Sequence, residues 1–286
     1  MWLNSGKIMC ILCPACQQPI NLQTGVCVGG HKFLRENGVF DLLTPDIKEH
    51  IRAIEEQRLT ITQQLPTIND YNALPFSVAH QSFEWLIRAH DVRNVLNLIR
   101  SRTEQKILEI GAWNGWLTHH LARAGHDVVA IDYTADENDG LGAKIHFDVE
   151  WTAIQIDLTN LSVFDCRFDV IVINHGLHFF SDPVDYVQGV KKLLKPNGLL
   201  ILLNLTFYRN PARRMLQVEK MTGDFMKAHS MPIFLKPARG YMDFEDKDQF
   251  QKQGIALRQY RHLWRANLKA RIRKTAPAYY YGFVQC

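Results

Sequence analysis

The chain has 286 residues, of which 47% are hydrophobic and 22% charged. These values are ordinary for a soluble globular protein and exclude a disordered, collagen-like or disulfide-stapled chain. The net charge of +4 hides an asymmetry, because residues 251–286 hold eight Lys or Arg and no Asp or Glu. Such a basic surface attracts nucleic acid, phosphorylated substrates or an anionic membrane, or is simply a solvated face.

The N-terminal residues carry no targeting pattern that we can identify. Residues 1–7 lack a basic region followed by a long apolar core, and no apolar run is long enough to span a bilayer. We therefore expect no transmembrane segment, no secretory signal and a cytoplasmic, reducing location. Four of the six cysteines lie within the first 27 residues, and such clustering favours metal binding over disulfides.

Two pairs of candidate metal ligands occur in this region, Cys13-Pro-Ala-Cys16 and Cys27-Val-Gly-Gly-His31. Each pair fits one tight turn, and three thiolates with one imidazole suit a tetrahedral Zn²⁺ ion. No ligand position is left open, so the predicted zinc is structural. Cys10 offers a second spacing, Cys10-x-x-Cys13, although we prefer Cys13 and Cys16. A metal-free remnant with buried thiols is the alternative.

This segment, with Phe33 and residues 38–43, resembles the zinc ribbon that opens bacterial 23S rRNA guanine-N1 methyltransferases. It is also similar to small zinc-ribbon proteins that partner methyltransferases. The resemblance implies bound zinc and a neighbouring methyltransferase. We therefore predict a zinc ribbon over residues 1–44.

Residues 45–100 are predicted to be a helical linker. Thr44-Pro45 is a break, residues 46–65 are helix-compatible, and residues 81–99 show the apolar spacing of a long amphipathic helix. The favoured interpretation is that the 81–99 helix packs on the following domain. Residues 71–80 are a candidate lid over an active site.

From residue 106 onwards strands and helices alternate. Lys106-Ile-Leu-Glu-Ile110 predicts a buried strand, Gly111-Ala-Trp-Asn-Gly115 a tight turn, and residues 116–124 a helix; a second strand, 127–132, ends in Asp132. This is the pattern of a nucleotide-binding βαβ unit, in which small residues let the backbone approach the ligand and the strand-end carboxylate binds ribose hydroxyls.

The identity of the nucleotide follows from the turn. A dinucleotide fold needs a third glycine for its pyrophosphate, which is missing here, and Glu109 would repel a phosphate. The carboxylate suits S-adenosylmethionine (SAM), which carries a sulfonium and an ammonium group and no phosphate. Further strands are predicted over 153–158, 168–174, 199–205, 255–264 and 278–285. The predicted fold is α/β, with a doubly wound, mostly parallel, seven-stranded Rossmann-like sheet and a small N-terminal zinc ribbon.

This order resembles the class I SAM-dependent methyltransferases, and in particular the type 11-like group with Leu-Lys-Pro-x-Gly before the fifth strand. Trp113 departs from the glycine-turn motif of that family. Residues 139–143, Asp-Gly-Leu-Gly-Ala, look like a subgroup of uncharacterised methyltransferases. The resemblance implies a SAM-binding set of Glu109, Gly111, Ala112, Gly115, Asp132, Tyr133, Asp157, Leu158 and Asn174. His175 and His178 follow the fourth strand as candidate general bases, or as residues of loop structure or cofactor contact.

The predicted function is methyl transfer from SAM by a domain over residues 101–286. The acceptor is a small or lipid-linked anionic molecule, or an RNA bound with the help of a basic loop over 269–274. One alternative is a zinc-ribbon binding protein built on a degenerate methyltransferase fold. A second, less favoured, is an NAD-dependent oxidoreductase.

Overall fold

A computed structural model of the chain describes residues 11–33, 37–62 and 70–286, so Cys10 lies outside the described residues. None of the described helices is both long and apolar enough to cross a membrane. The helices and strands, in chain order, are β1 (Ile20–Asn21), β2 (Val26–Cys27), β3 (Val39–Asp41), α1 (Pro45–Thr62), α2 (Phe83–Ile99), β4 (Lys106–Ile110), α3 (Thr118–Arg123), β5 (Asp127–Asp132), β6 (Thr152–Gln155), β7 (Phe168–Asn174), α4 (Pro183–Lys191), β8 (Leu194–Tyr208), α5 (Ala212–His229), β9 (Met242–Asp243), α6 (Phe244–Lys252), β10 (Ala256–Gln259), α7 (Trp264–Ile272) and β11 (Pro277–Gln285).

A nine-stranded sheet forms the centre of the molecule, in the order β10-β11-β8-β7-β4-β5-β6-β3, with the short β9 paired to the end of β8. The six strands from β8 to β3 are parallel, and β11 runs antiparallel to both β8 and β10. All seven predicted strands are present, and β3 and β9 are two short additions. The doubly wound α/β prediction is therefore confirmed.

The two faces of the sheet carry separate apolar cores, because alternate side chains of each strand point to opposite sides. Leu108 and Ile110 of β4 face α4 and α6, whereas Ile107 packs with Val95 and Ile99 of α2. Ser82 caps the N-terminus of α2 by accepting a hydrogen bond from the Trp85 amide (3.3 Å). The 81–99 segment is thus a packed helix on the sheet, as its spacing indicates.

The segment predicted to be a zinc ribbon lies against the edge of this sheet. β1 and β2 form an antiparallel hairpin, and the Leu12 amide donates to the Val163 carbonyl (2.8 Å). Immediately after the hairpin, β3 pairs in parallel with β6. The ribbon therefore supplies the outermost strand of the sheet.

The C-terminal region differs from the prediction in two respects. The strand expected over 255–264 ends at Gln259, and of the basic residues expected in a loop over 269–274, Lys269 and Arg271 lie on helix α7 and Arg273 and Lys274 follow it. Residues 264–272 contain no glycine or proline and include Leu, Lys, Arg and two Ala, all strong helix formers. These residues therefore form a helix because of their local propensity, where the spacing of the flanking strands had predicted a loop.

Residues 71–80, the candidate lid, pack beside α3. The His120 imidazole bonds to the Leu74 carbonyl (2.7 Å), and the Tyr71 hydroxyl donates to the Asn138 carbonyl (3.2 Å). The Tyr71 ring also stacks on His146, with centroids 4.5 Å apart. These contacts fix the segment on the helix and loops that flank the glycine turn.

Candidate functional site

The turn after β4 is built from backbone conformations that favour glycine. Gly111 and Gly115 have φ angles of 78° and 83°. A Cβ atom on Gly111 would lie 2.8 Å from the Asn174 carbonyl oxygen, and one on Gly115 would lie 2.9 Å from the Trp151 ring. These glycines let the loops after β4 and β7 approach each other closely.

Glu109 lies at the end of β4 directly below this turn. It is fully buried and accepts hydrogen bonds from the Thr118 hydroxyl (2.7 Å) and the Asn174 amide (2.8 Å). Burial raises the pKa of Glu109 to about 7, against the opposing effect of these hydrogen bonds, and the nearby Asp132 adds to the increase. A cation bound here would favour the carboxylate form.

Asp132 ends the neighbouring strand β5. Its Oδ2 accepts from the Trp113 amide (2.7 Å), and its Oδ1 accepts from the Thr134 amide (3.2 Å). Burial raises the pKa of Asp132, and these backbone hydrogen bonds partly offset that increase. The carboxylate thus fixes the glycine turn to β5 and keeps part of its surface open to a ligand.

Asp157 follows the third strand of the group, β6. Its Oδ1 accepts from the Tyr133 hydroxyl (3.0 Å) and from the amide and hydroxyl of Thr159 (2.9 and 2.8 Å). Leu158 is buried, and its carbonyl accepts from the Tyr186 hydroxyl (2.9 Å). Three carboxylates therefore lie at the carboxyl ends of three adjacent parallel strands, where ligands of open α/β sheets bind.

His175 and His178 line the loop after β7, with ring centroids 5.4 Å apart. His175 is exposed and has a φ of 63°, and the Asn204 side-chain amide donates to its Nδ1 (2.7 Å). Although His175 is accessible to solvent, desolvation by the protein atoms around the two imidazoles lowers the pKa of His175 to about 4 and that of His178 to about 3. Neutral His175 with Nδ1 as acceptor carries its proton on Nε2, so it offers a hydrogen-bond donor rather than a free base.

Sequence reasoning missed the surroundings of Trp113. This residue has a φ of 52°, and its indole Nε1 donates to Asp139 (2.6 Å). Arg58 of α1 binds both oxygens of Asp139 at 2.9 Å. The guanidinium of Arg88 contacts the rings of both Trp85 and Trp113, 4.6 and 4.8 Å from their centroids. Trp113, the residue that departs from the glycine motif, thus connects α1 and α2 to the glycine turn.

A buried chain of hydrogen bonds supports the other side of the site. The Tyr260 hydroxyl donates to Asp91 of α2 (2.5 Å) and accepts from the Asn204 amide (2.9 Å). Burial raises the pKa of Asp91 to about 8. Since Asn204 also contacts His175, this chain sets the position of that imidazole. No local pattern could have shown a pairing between residues 169 positions apart.

Replacing Trp113 with glycine is expected to lower the free energy of unfolding by about 2 kcal/mol. Glycine relieves a left-handed backbone that costs about 1 kcal/mol or more, but loss of a large, partly buried aromatic ring costs about 3 kcal/mol. Urea unfolding measures the difference. Trp113→Phe, which keeps a smaller aromatic ring and loses the bond to Asp139, should fall between the wild type and the glycine variant. A glycine variant as stable as the wild type would show that the Trp113 side chain does not stabilise the fold.

The predicted metal ligands converge. The Sγ atoms of Cys13, Cys16 and Cys27 and a ring nitrogen of His31 all lie within 4.8 Å of one another. Three of the separations are Cys16–Cys27 3.6 Å, Cys27–His31 3.3 Å and Cys13–His31 3.6 Å. A tetrahedral Zn²⁺ with bonds of about 2.0 to 2.3 Å has ligand-to-ligand edges of about 3.3 to 3.8 Å. The donor set and its spacing therefore fit zinc.

The central sheet has recognisable relatives. Residues 108–202 match the model of a methyltransferase domain family. A ubiquinone biosynthesis O-methyltransferase of Cereibacter sphaeroides is 34% identical over 111 residues, which cover 37% of this chain and 42% of the relative. That of Haemophilus ducreyi is 31% identical over 148 residues, or 47% and 60%. The chain thus spans about half the length of these curated relatives.

Solved structures show a more distant likeness. The magnesium protoporphyrin IX methyltransferase of Synechocystis, solved with bound S-adenosylhomocysteine, is 14% identical with a TM-score of 0.47, covering 83% of this chain and 97% of that one. The match over residues 108–202 agrees with the strand order, the glycine turn and the strand-end acids. This central part of the chain is similar to a methyltransferase domain, and its sheet has a doubly wound, Rossmann-like fold.

Proposed function

We propose that the chain transfers a methyl group from SAM to an anionic acceptor. The observation that supports this most directly is the placement of Glu109, Asp132 and Asp157 at the ends of three adjacent strands around one glycine turn. A pyrophosphate-bearing cofactor such as NAD would meet three carboxylates there. Both cofactors offer ribose hydroxyls to Asp132, but SAM brings positive charge to Glu109 where NAD would bring a pyrophosphate.

Each residue then has a distinct task. Asp132 accepts hydrogen bonds from the ribose, Asp157 accepts from the adenine amine, and Glu109 stabilises the cationic methionine end of the cofactor. SAM supplies an activated methyl group for an in-line displacement. Because that displacement needs chiefly alignment, much of the acceleration comes from holding the acceptor in line. Trp113 and Asn174 shape the turn and the loop on either side of that position.

The charge of the acceptor follows from Arg88 and Arg214. Arg88 lies close enough to His175, and Arg214 to His178, that each cation helps to lower the pKa of the neighbouring imidazole. Arg88 forms no hydrogen bond or ion pair with a carboxylate in the described part of the chain; its contacts are the two tryptophan rings. Burial lowers the pKa of Arg88 to about 10, so it stays charged at neutral pH. A cation near each histidine of this loop favours a phenolate, carboxylate or phosphate as the acceptor.

The relatives named for ubiquinone biosynthesis support an acceptor of the small or lipid-linked anionic class. RNA, the other class that the sequence suggests, would need contacts well beyond a compact cleft. Extracts supplied with isotopically labelled SAM and then divided into lipid, small-molecule and RNA fractions should show label in the first two. Label confined to RNA would overturn this choice of acceptor.

Titration calorimetry with SAM and with NAD tests the cofactor assignment. We expect saturable binding of SAM and none of NAD. Binding of NAD alone would make the chain an oxidoreductase. Binding of neither would favour a recognition protein on a methyltransferase fold, the alternative that the zinc ribbon suggests.

SAM affinity is expected to rise with pH and to level off above about 7. Below that pH Glu109, whose pKa is raised to about 7, is protonated, and a cationic ligand must displace the proton. The dissociation constant should therefore increase up to about tenfold for each pH unit below 7. Calorimetry over a pH series measures it.

The raised pKa of Glu109 also makes the stability of the fold depend on pH. The pKa of Glu109 is raised above its unfolded value of about 4.3, so its contribution to stability is complete below that value and is lost as the pH rises through about 7. Glu109→Gln removes the titration and should flatten both the affinity and the stability profiles over this range. A glutamine variant with an unchanged pH profile would contradict the role of Glu109.

A further inference from the structure

Helix α7 exposes an apolar stripe to solvent. Trp264, Leu268 and Ile272 are 58%, 46% and 75% exposed. Their spacing of four residues places them on one face of the helix. The opposite face is packed, since Asn267 and Ala270 are buried and Asn267 bonds to both the amide and the carbonyl of Tyr279 (2.8 and 3.2 Å). The stripe is therefore held outward by the fold.

Exposed cations border this stripe on both sides. At about 100° of helix rotation per residue, Arg265 and Lys269 fall beside one edge and Arg271 beside the other. All three are exposed, as are Arg261, Arg273 and Lys274 around the ends of the helix. No Asp or Glu occurs anywhere in residues 251–286. An exposed apolar stripe with a cationic border offers the two contributions that hold a protein at an anionic lipid surface, which are apolar burial and attraction to the headgroups.

The stripe lies at the same edge of the sheet as the candidate active site. Through Asn267, α7 is fixed to the start of β11, where Pro277 pairs with Tyr208 at the end of β8. That end of β8 follows Asn204, which contacts His175. At the same edge, Phe83 at the start of α2 packs edge-on against Tyr279, with centroids 5.3 Å apart.

We propose that α7 docks the protein on an anionic lipid surface, with Trp264, Leu268 and Ile272 in the interface and the flanking cations on the headgroups. This interaction goes beyond methyl transfer and does not depend on it. The charge complementarity selects the occupant. RNA offers phosphates but no apolar layer for Leu268 and Ile272. A second copy of the chain would bring two cationic borders together at a two-fold interface.

Vesicle binding tests the proposal directly. The 286-residue chain is sedimented with vesicles of phosphatidylcholine alone and of phosphatidylcholine with about a third phosphatidylglycerol. We expect binding to the anionic vesicles only, falling as salt rises from about 0.1 to about 0.5 M. Each cation near such a surface contributes about fivefold to the partition coefficient, so Arg265→Glu, Lys269→Glu and Arg271→Glu together should lower it by about 100-fold or more.

A second triple variant separates the apolar contribution from charge. Trp264→Ser, Leu268→Ser and Ile272→Ser should abolish vesicle binding while leaving the circular dichroism spectrum and SAM binding unchanged, since all three side chains are exposed. Ile145→Ser, which removes an exposed apolar side chain elsewhere (52% exposed), and Arg52→Glu on α1 are the matched controls and should bind vesicles like the wild type.

Three results would overturn the proposal. The first is failure of the wild type to bind anionic vesicles at low salt. The second is that the wild type binds tRNA but not vesicles, and that the charge variant loses this tRNA binding while the serine variant keeps it. That result would indicate RNA as the partner. The third is a dimer in light scattering that the serine variant dissociates, again without vesicle binding. Failure of the methyltransferase assignment would appear separately, as absent SAM binding in the calorimeter.

Discussion

Replacing Asp132 with alanine is expected to weaken SAM binding by about 2 kcal/mol or more, which is about 30-fold in the dissociation constant. The substitution removes the charge-assisted hydrogen bonds that the carboxylate makes to the ribose. It also removes the acceptor, Oδ2, to which the Trp113 amide donates at 2.7 Å. Titration calorimetry at pH 8, above the pKa of Glu109, gives the affinity without interference from that residue.

Two further variants make the result interpretable. Asp132→Asn keeps one acceptor oxygen for the turn and loses the charge, so its affinity should lie between those of the wild type and the alanine variant. Asp165→Ala removes an exposed carboxylate outside the site and should bind SAM like the wild type. Unchanged affinity in Asp132→Ala would refute the ribose assignment.

Removing zinc is expected to have the largest effect on folding. We infer one structural Zn²⁺ per chain, held by Cys13, Cys16, Cys27 and His31, and the binding energy of such an ion is folding energy of about 10 kcal/mol or more at pH 7. Elemental analysis of protein purified without added metal should give about one zinc per chain. A strong chelator should then unfold the ribbon while the Rossmann-like domain keeps its helical signal.

The double variant Cys13→Ser with Cys16→Ser should lose the metal, because two of the four ligands are gone. Cys286→Ser, which changes an exposed thiol far along the chain, is the control and should keep it. Zinc retained in full by the double variant would show that other groups hold the ion. Cys10 would then be the first residue to test.

The parts of the site that lie within short stretches of sequence could be predicted. Glu109 lies near the end of one strand, Gly111 and Gly115 follow that strand, and Asp132 ends the next. The strand pattern and the turn residues therefore predicted that these four residues lie close together. The paired metal ligands are similarly local, with two or three residues between partners. Such predictions work because the carboxyl ends of parallel strands meet at one edge of a sheet and because a tight turn brings its two ends to one point.

The remaining features depend on contacts that no local pattern encodes. Arg88 appears in the sequence as one polar position on an amphipathic helix, and only packing against Trp85 and Trp113 brings it to the cofactor turn. Asp91 and Tyr260 meet across most of the chain. Helix α7 replaced a predicted loop because the propensity of its residues outweighed the spacing of the flanking strands.

The pairing of β3 with β6 gives the ribbon a protective role. Without Val39–Asp41, β6 would become the outer strand of the sheet and would expose the backbone beside the buried Ala153 and Ile154. An open, apolar strand edge is a template for pairing between molecules. A shortened chain starting after residue 44 would therefore aggregate through this edge even with its cofactor turn intact. The predicted metal-binding segment would thus keep the protein from aggregating by covering this edge.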